Sequence, residues 1–181
     1  PKAGGPMYLR RLVAAAPTFA ARAERPASAL EDFIRWLEQS GEGEAAETAR
    51  RYAQASALGA EAELPGPVGE RNVYALHPRG SILLLPASQR GLFEQMAAVL
   101  ATGNRGVLAE MDLPAGLPAS VAAAFSRQND GDSSAALVEG DNDRIAAAVT
   151  RVSALPGPII SVHAARPGEA TAYSCDWLLE E

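Results

Sequence analysis

The stretch that decides the fold is HPRGSILLLPASQRGLFEQMAAVLATGN, residues 77–104. Its apolar run from Ser81 to Leu85 predicts a buried β-strand, and the pattern from Gly91 to Ala101 predicts an amphipathic helix that ends at a Gly-Asn pair. Many nucleotide-binding domains begin with a strand, a short turn and a helix. The turn, residues 86–91, has neither the glycine spacing nor the lysine of a phosphate-binding loop. The stretch therefore raises the question of whether the fold is present without its ligand.

The alternation of strand and helix continues toward the C-terminus. The apolar runs do not alternate strictly with polar residues, which is typical of strands covered on both faces. They predict further strands at Gly106 to Ala109, Ala135 to Val138 and Pro158 to Val162, and further helices at Leu117 to Phe125 and Asn142 to Leu155. Such alternation predicts an α/β fold, with a Rossmann-like, doubly wound parallel sheet.

Two helices are expected before the sheet. Apolar residues with helical spacing predict a helix over residues 28–39 with one apolar face, formed by Leu30, Phe33, Ile34 and Leu37. Ser28 and Glu31 predict a capping box at its start, and Gly41 predicts its end. If this helix docks on a missing partner, Leu30, Phe33 and Leu37 should be partly exposed, or covered by a neighbouring molecule.

A second, alanine-rich helix is predicted from Ala45 to Ala60, with Tyr52 and Leu58 as its apolar anchors. The prolines and glycines of residues 64–70 then predict a domain boundary or a fixed loop.

Composition limits the class of protein. With 181 residues, 48% of them hydrophobic, the chain can bury one full core plus an appendage. The 16 basic residues stand against 22 acidic ones and form no basic run, which argues against nucleic acid as a partner. No apolar run approaches the roughly 20 residues of a transmembrane helix, and the single cysteine favours a reducing compartment, so we expect a cytoplasmic protein. A start at Pro1 without a signal peptide suggests a piece of a longer chain.

Motifs that carry chemistry are scarce. The sequence contains no G-x-G-x-x-G, no G-x-x-x-x-G-K-[ST] and no G-x-S-x-G. Cys175 and His163 could be a thiol and its base, but a structural cysteine is favoured because the surrounding residues match no known nucleophile context. Trp36 and Trp177 are interpreted as packing or interface residues.

Two acidic clusters could offer oxygen ligands to a hard cation, 130–132 and 141–143, but neither has the spacing of a calcium loop. Turn and cap roles are favoured, with Asp141 or Asn142 capping the helix that follows. His77, which precedes Pro78, should lie at the entry to the first strand. We therefore expect no catalytic, cofactor-binding or metal-binding residue in this chain.

Three segments resemble one known family: PKAGGPMYLRRL (1–12), LPGPVGERNVYALHPRGSILLL (64–85) and YSCDWLLEE (173–181). The family is proline utilization A, bacterial bifunctional enzymes of proline catabolism. Residues 1–12 are similar to the end of its aldehyde dehydrogenase module, and residues 64–85 and 173–181 resemble the C-terminal domain of its longer members. The resemblance implies that residues 1–25 end the dehydrogenase module, 26–63 form a helical linker and 64–181 form a Rossmann-like C-terminal domain.

The resemblance also implies cofactors and partners. The whole protein would contain an FAD-dependent proline dehydrogenase and an NAD-dependent L-glutamate γ-semialdehyde dehydrogenase, and this segment would pack on the second module of the same chain. The resemblance is also compatible with a whole protein that forms a homo-oligomer.

Residues 82–110 resemble the first unit of an aldehyde dehydrogenase cofactor domain, but family members that bind NAD have a Trp-Asn pair at the position of Ala87-Ser88 and a lysine at that of Ala109. The resemblance thus implies a noncatalytic segment, without a cofactor of its own, that covers the channel for pyrroline-5-carboxylate. The alternative is a vestigial or regulatory nucleotide site at the carboxyl ends of the strands.

Overall fold

The computed structural model of the protein describes residues 27–64, 66–127 and 133–181. The helices in these ranges are α1 Ala27–Gln39, α2 Gly43–Ala55, α3 Gln89–Ala101, the single turn α4 Ala119–Ala122 and α5 Asn142–Ser153, with a 3₁₀ turn at Cys175–Leu178. The strands are β1 Glu61–Leu64, β2 Asn72–Ala75, β3 His77–Pro78, β4 Ser81–Leu85, β5 Arg105–Leu108, β6 Phe125–Ser126, β7 Ser133–Glu139, β8 Ser161–Ala165 and β9 Leu179–Glu180. No helix in these ranges is both long and apolar enough to cross a lipid bilayer.

The central sheet has five parallel strands in the order β6-β5-β4-β7-β8. The first strand of the unit lies in the middle and the chain winds outward first to one side and then to the other, which is the strand order of a Rossmann-like fold. The predicted α/β class is confirmed. Two antiparallel pairs, β1 with β2 and β3 with β9, lie outside this sheet. His77 therefore precedes β4 in a short strand of its own.

Alternate side chains of the sheet pack against helices on opposite faces. Leu83 and Leu85 of β4 belong to the core that α5 covers through Val152. Ile82 and Leu84 belong to the larger core formed with α3. Because both faces of the sheet are covered, the strands are continuously apolar and lack alternation.

A layer formed by α1 and α2 covers the outer side of α3. Every residue of α3 from Gly91 to Ala101 is buried. The prediction that the apolar face of α1 is partly exposed is wrong, because Leu30 is 8% exposed and Phe33 and Leu37 are 0% exposed within their own chain. The physical reason is that α3 is buried on all sides and needs cover on the side away from the sheet.

Aromatic packing joins this layer to α3. Phe33 and Trp36 of α1 lie with ring centroids 6.0 Å apart, and Phe93 of α3 meets the Trp36 ring edge-on at 5.8 Å. Trp36 is thus a packing residue, as predicted.

Several predicted boundaries differ from the structure. The helix predicted for 117–125 is only the turn α4, since Phe125 pairs with Gly106 of β5 and its ring covers the space where a Gly106 side chain would be. The strand predicted for 158–162 begins at Ser161, where its pairing with Ala135 of β7 begins, and Pro158 before it has no N–H to donate to a ladder.

The N-terminal helices also differ in their ends. Ala27 and Ser28 both lie within helix α1, so Ser28 is not the N-cap, and the Ser28 side chain lies outside the described part. Helix α2 ends at Ala55, and Leu58 lies in the following loop, where Gly59 has a φ of 74° that favours glycine.

Candidate functional site

The crevice at the carboxyl ends of β4 and β7 is the candidate site. In the order β6-β5-β4-β7-β8 the winding direction reverses between β4 and β7, and open α/β sheets bind ligands at such a point. The turn from Pro86 to Ser88 follows β4, and Glu139 is the last residue of β7. The sequence places both at the same edge of the sheet because the two strands are parallel.

The carboxylate of Glu139 lies in this crevice, and the residue as a whole is 3% exposed. Its Oε2 atom accepts hydrogen bonds from the backbone N–H groups of Ala87 and Ser88, each at 2.8 Å. The Ser88 hydroxyl lies 2.8 Å from Oε1 and 3.0 Å from Oε2. Both oxygens of one buried anion are therefore held by the turn after β4, which is how proteins stabilise a buried carboxylate.

Ser88 and Gly91 adapt the start of α3 to this carboxylate. Ser88 is the N-cap of α3, and its hydroxyl accepts a hydrogen bond from the Gly91 N–H at 3.0 Å. A Cβ atom at Gly91 would lie 1.9 Å from Oε2 of Glu139. A glycine at this position thus makes room for the Glu139 side chain.

Arg144 joins the ends of the same two strands. Its Nε donates to the main-chain carbonyl of Glu139 at 2.9 Å, and its guanidinium donates to the carbonyl of Pro86 at 2.9 Å. It also binds Glu110 at 2.6 Å, and Arg151 donates to the other oxygen of Glu110 at 2.7 Å. The side chains of Glu110, Arg144 and Arg151 line a depression of about 230 Å³ beside the crevice.

The fit of a dinucleotide can be judged from these contacts. A pyrophosphate needs N–H groups that are free to donate, and those of Ala87 and Ser88 already donate to Glu139. A ribose needs a free acceptor or donor after the second strand. Ala109 has no polar side chain, and Glu110 is bound by two arginines. These residues do not fit a dinucleotide.

The cysteine and histidine considered as a nucleophile and its base have separate partners. Cys175 is buried, its thiol lies 3.9 Å from the carbonyl of Tyr52, and burial raises its pKa to about 11. His163 lies 3.1 Å from the Ser161 hydroxyl and stacks on Trp177 with centroids 4.5 Å apart. Burial lowers the pKa of His163. A thiol with a raised pKa is a poor nucleophile at neutral pH.

The acidic clusters have structural partners where they are described. Asp141 is the N-cap of α5 and accepts from the N–H of Arg144 at 2.9 Å, which confirms one of the two predicted caps. Asn142 accepts from Arg166 at 2.9 Å. Residues 130–132 lie outside the described residues. Within the described ranges no three His, Cys, Asp or Glu side chains are grouped as metal ligands.

A second buried polar cluster joins α2, α3 and the C-terminal segment. Glu94 accepts from the Tyr52 hydroxyl at 3.0 Å and from the N–H of Ala172 at 2.8 Å. Tyr52 in turn accepts from the N–H of Tyr173 at 3.1 Å, and Gln95 donates to the Tyr173 hydroxyl at 2.9 Å. Burial raises the pKa of Glu94. This cluster fixes the C-terminal segment on the helices.

Sequence reasoning did not find the residues of the crevice. Glu139 follows a run interpreted as a strand that ends at Val138, and a charged residue at that edge is a usable signal. Ser88 followed by Gly91 fits an N-cap with a small residue in the first turn. Neither residue alone predicts that a carboxylate from one strand reaches the turn after another.

The strand order and this crevice define a Rossmann-type α/β domain whose own carboxylate binds the amides of its first turn. No family model matches the chain. It is 45% identical over 197 residues to the bifunctional protein PutA of Rhizobium meliloti, covering 100% of this chain and 16% of that protein. It is 32% identical over 193 residues to PutA of Salmonella typhimurium, covering 94% of this chain and 15% of that protein. The chain is homologous to PutA, proline utilization A, over its whole length.

Solved structures agree on the fold. The crystal structure of a Bradyrhizobium japonicum PutA mutant aligns with 89% of this chain and 22% of its own, with a TM-score of 0.52 and 22% identity. A PutA structure with proline bound in remote sites aligns with 76% of this chain and 19% of its own, with a TM-score of 0.51 and 20% identity. The chain spans about one sixth of the length of the curated relatives.

Proposed function

We propose that the chain is the noncatalytic C-terminal segment of a bifunctional enzyme that converts proline to glutamate through pyrroline-5-carboxylate. In this proposal residues 1–25 end the aldehyde dehydrogenase module, 26–63 link it to the C-terminal domain, and 64–181 form that domain. The segment supports the module and covers the channel for the intermediate. FAD and NAD bind elsewhere in the whole enzyme, which acts in the cytoplasm. Homology to PutA over the whole chain supports this assignment.

The observation that carries the noncatalytic role is the position of Glu139. A dinucleotide would have to displace a carboxylate that accepts two backbone hydrogen bonds at 2.8 Å, and each such charge-assisted bond contributes about 1.5 to 3 kcal/mol. The pyrophosphate would also meet the negative charge of the Glu139 carboxylate. Both effects oppose cofactor binding.

The apolar face of α1 is buried within its own chain and therefore does not supply an apolar contact with the module. The hairpin of β1 and β2 lies outside the central sheet and carries the exposed Val68 in its turn and the 42% exposed Val73 on β2. An isolated two-stranded hairpin is only marginally stable in water, so a covering partner would stabilise it. We propose this hairpin as one contact with the dehydrogenase module of the same chain.

The test uses the intact bifunctional enzyme. Val73→Asp places a charge on the hairpin and should lower aldehyde oxidation and the transfer of the intermediate, while the reduction of flavin by proline is unchanged. Val149→Asp on α5 is a matched control, because Val149 is 45% exposed, and it should leave both reactions unchanged. Unchanged transfer in Val73→Asp, together with unchanged transfer after deletion of residues 64–181, would refute the covering role.

A separate titration tests the absence of a nucleotide site. Isothermal titration of the 181-residue chain by itself with NAD should give no heat of binding. Tight, saturable binding would favour a regulatory nucleotide site and overturn the noncatalytic assignment.

A further inference from the structure

We infer that Glu139 is an internal ligand: its carboxylate fills an oxyanion cradle formed by the turn after β4, and removing the carboxylate converts the cradle into a binding site for an inorganic oxyanion such as phosphate. This inference goes beyond the proposed function, which concerns the native chain and the rest of the enzyme.

The donors converge on one place. The N–H groups of Ala87 and Ser88 both point to Oε2 of Glu139, and the Ser88 hydroxyl reaches both carboxylate oxygens. Consecutive N–H groups that bind one oxygen, together with a serine hydroxyl at the start of a helix of 13 residues, are the donors that proteins use for phosphate. Here the anion that they bind is the side chain of a residue of the same chain, Glu139, which is 3% exposed.

The space in the cradle is shaped for an anion. A Cβ atom at Gly91 would lie within 2.7 Å of both oxygens of the Glu139 carboxylate, so the glycine leaves the volume that the carboxyl group occupies. Removal of that group by Glu139→Ala leaves a polar space lined by three donors. A phosphate presents oxygens that accept the same hydrogen bonds.

The walls of the cradle are held by contacts that do not involve the carboxylate. The Ser88 hydroxyl accepts from Gly91, and the Ser88 carbonyl accepts from Leu92 at 2.9 Å. Arg144 binds the main-chain carbonyls of Pro86 and Glu139, which any residue at position 139 retains. The cradle should therefore persist when the side chain is shortened, with the positive charge of Arg144 nearby.

The experiment is a phosphate titration of the native 181-residue chain and of its Glu139→Ala variant. Chloride salt keeps the ionic strength constant. The readouts are the thermal midpoint and the amide chemical shifts of Ala87 and Ser88. In Glu139→Ala we expect saturable binding with an apparent Kd at least about ten-fold lower than in the native chain, with the largest shifts at these two amides. Glu139→Ser, with a smaller polar side chain, should give the same gain.

The control is Glu110→Ala, which also removes one carboxylate and breaks the ion pairs of Arg144 and Arg151 but leaves Glu139 in place. An equal gain in this variant, with the same chemical-shift changes at the Ala87 and Ser88 amides, would assign the binding to net charge and overturn the inference. Folded Glu139→Ala and Glu139→Ser variants that respond to phosphate no more than the native chain does would also overturn it. If neither variant folds in chloride, phosphate must restore folding in a saturable way, and failure to do so has the same meaning. These outcomes are independent of the NAD titration of the native chain and of intermediate transfer in the intact enzyme.

Discussion

The substitution Gly91→Ala tests the packing of the crevice most directly. A Cβ atom at this position would lie 1.9 Å from Oε2, 2.3 Å from Cδ and 2.7 Å from Oε1 of Glu139. All three distances are shorter than real contacts of a Cβ atom, so the whole carboxyl group has to move. A displacement of more than about 1 Å breaks its hydrogen bonds to Ala87 and Ser88, which are both 2.8 Å long.

The expected loss follows from those bonds. Two charge-assisted hydrogen bonds contribute about 3 to 6 kcal/mol together, and alanine is favoured over glycine inside a helix by about 1 kcal/mol. The free energy of unfolding of Gly91→Ala should therefore be about 2 to 5 kcal/mol lower than that of the native chain. Urea unfolding followed by circular dichroism measures it.

The matched control is the same substitution in a Glu139→Ala background. There the clash is removed, and Gly91→Ala should stabilise the protein by up to about 1 kcal/mol through helix propensity alone. The change of sign is specific to the contact between positions 91 and 139. The double-mutant cycle of Gly91→Ala and Glu139→Ala should give a coupling energy of about 3 to 6 kcal/mol. An equal effect of Gly91→Ala in both backgrounds would refute the reasoning.

Three further measurements test other parts of the structure. Phe33→Ala should lower the free energy of unfolding by about 3 to 5 kcal/mol because the ring is fully buried. The exposed control Glu31→Ala should change it by less than about 0.5 kcal/mol. A small effect of Phe33→Ala would contradict the packing of α1. Burial raises the pKa of Glu94, so the folded protein binds this proton more tightly than the unfolded chain, and the free energy of unfolding should fall as pH rises from about 4.3 through the higher folded pKa. Glu94→Gln should remove that slope in urea titrations at several pH values, and a slope that persists would rule out Glu94 as its source. Cys175, whose pKa is raised to about 11, should react slowly with iodoacetamide in the folded protein and rapidly in concentrated urea, and equal rates would contradict its burial.

The fold could be predicted from the sequence because its main signals are local. The apolar run of β4 and the helical pattern of α3 are consecutive in sequence, and strands covered on both faces have continuous apolar sequences. The short elements were harder to predict. Strand β6 has only two residues, and Phe125 belongs to this strand because Phe125 pairs with Gly106 of β5. The residues around Phe125 give no sequence pattern that predicts this pairing.

The site could be predicted only as a location. The parallel strands place the turn after β4 beside the end of β7, and that much follows from strand order. The contact between Ser88 and Glu139 spans 51 residues of sequence, and it depends on the strand register and on the space left by Gly91. The missing phosphate-binding motif predicts that no nucleotide binds in the crevice, but it does not predict that Glu139 occupies the turn.

The burial of α3 determines how the N-terminal helices behave. Separating α1 and α2 from α3 would expose Phe33, Tyr52 and Phe93, each at most 2% exposed, and would break the hydrogen bond of Tyr52 to Glu94. Exposing each large side chain costs about 1.5 to 3 kcal/mol, so the three together approach the whole stability of a typical domain. The helices should therefore unfold with the sheet, so α1 and α2, which lie in the proposed linker, share the core of the proposed C-terminal domain.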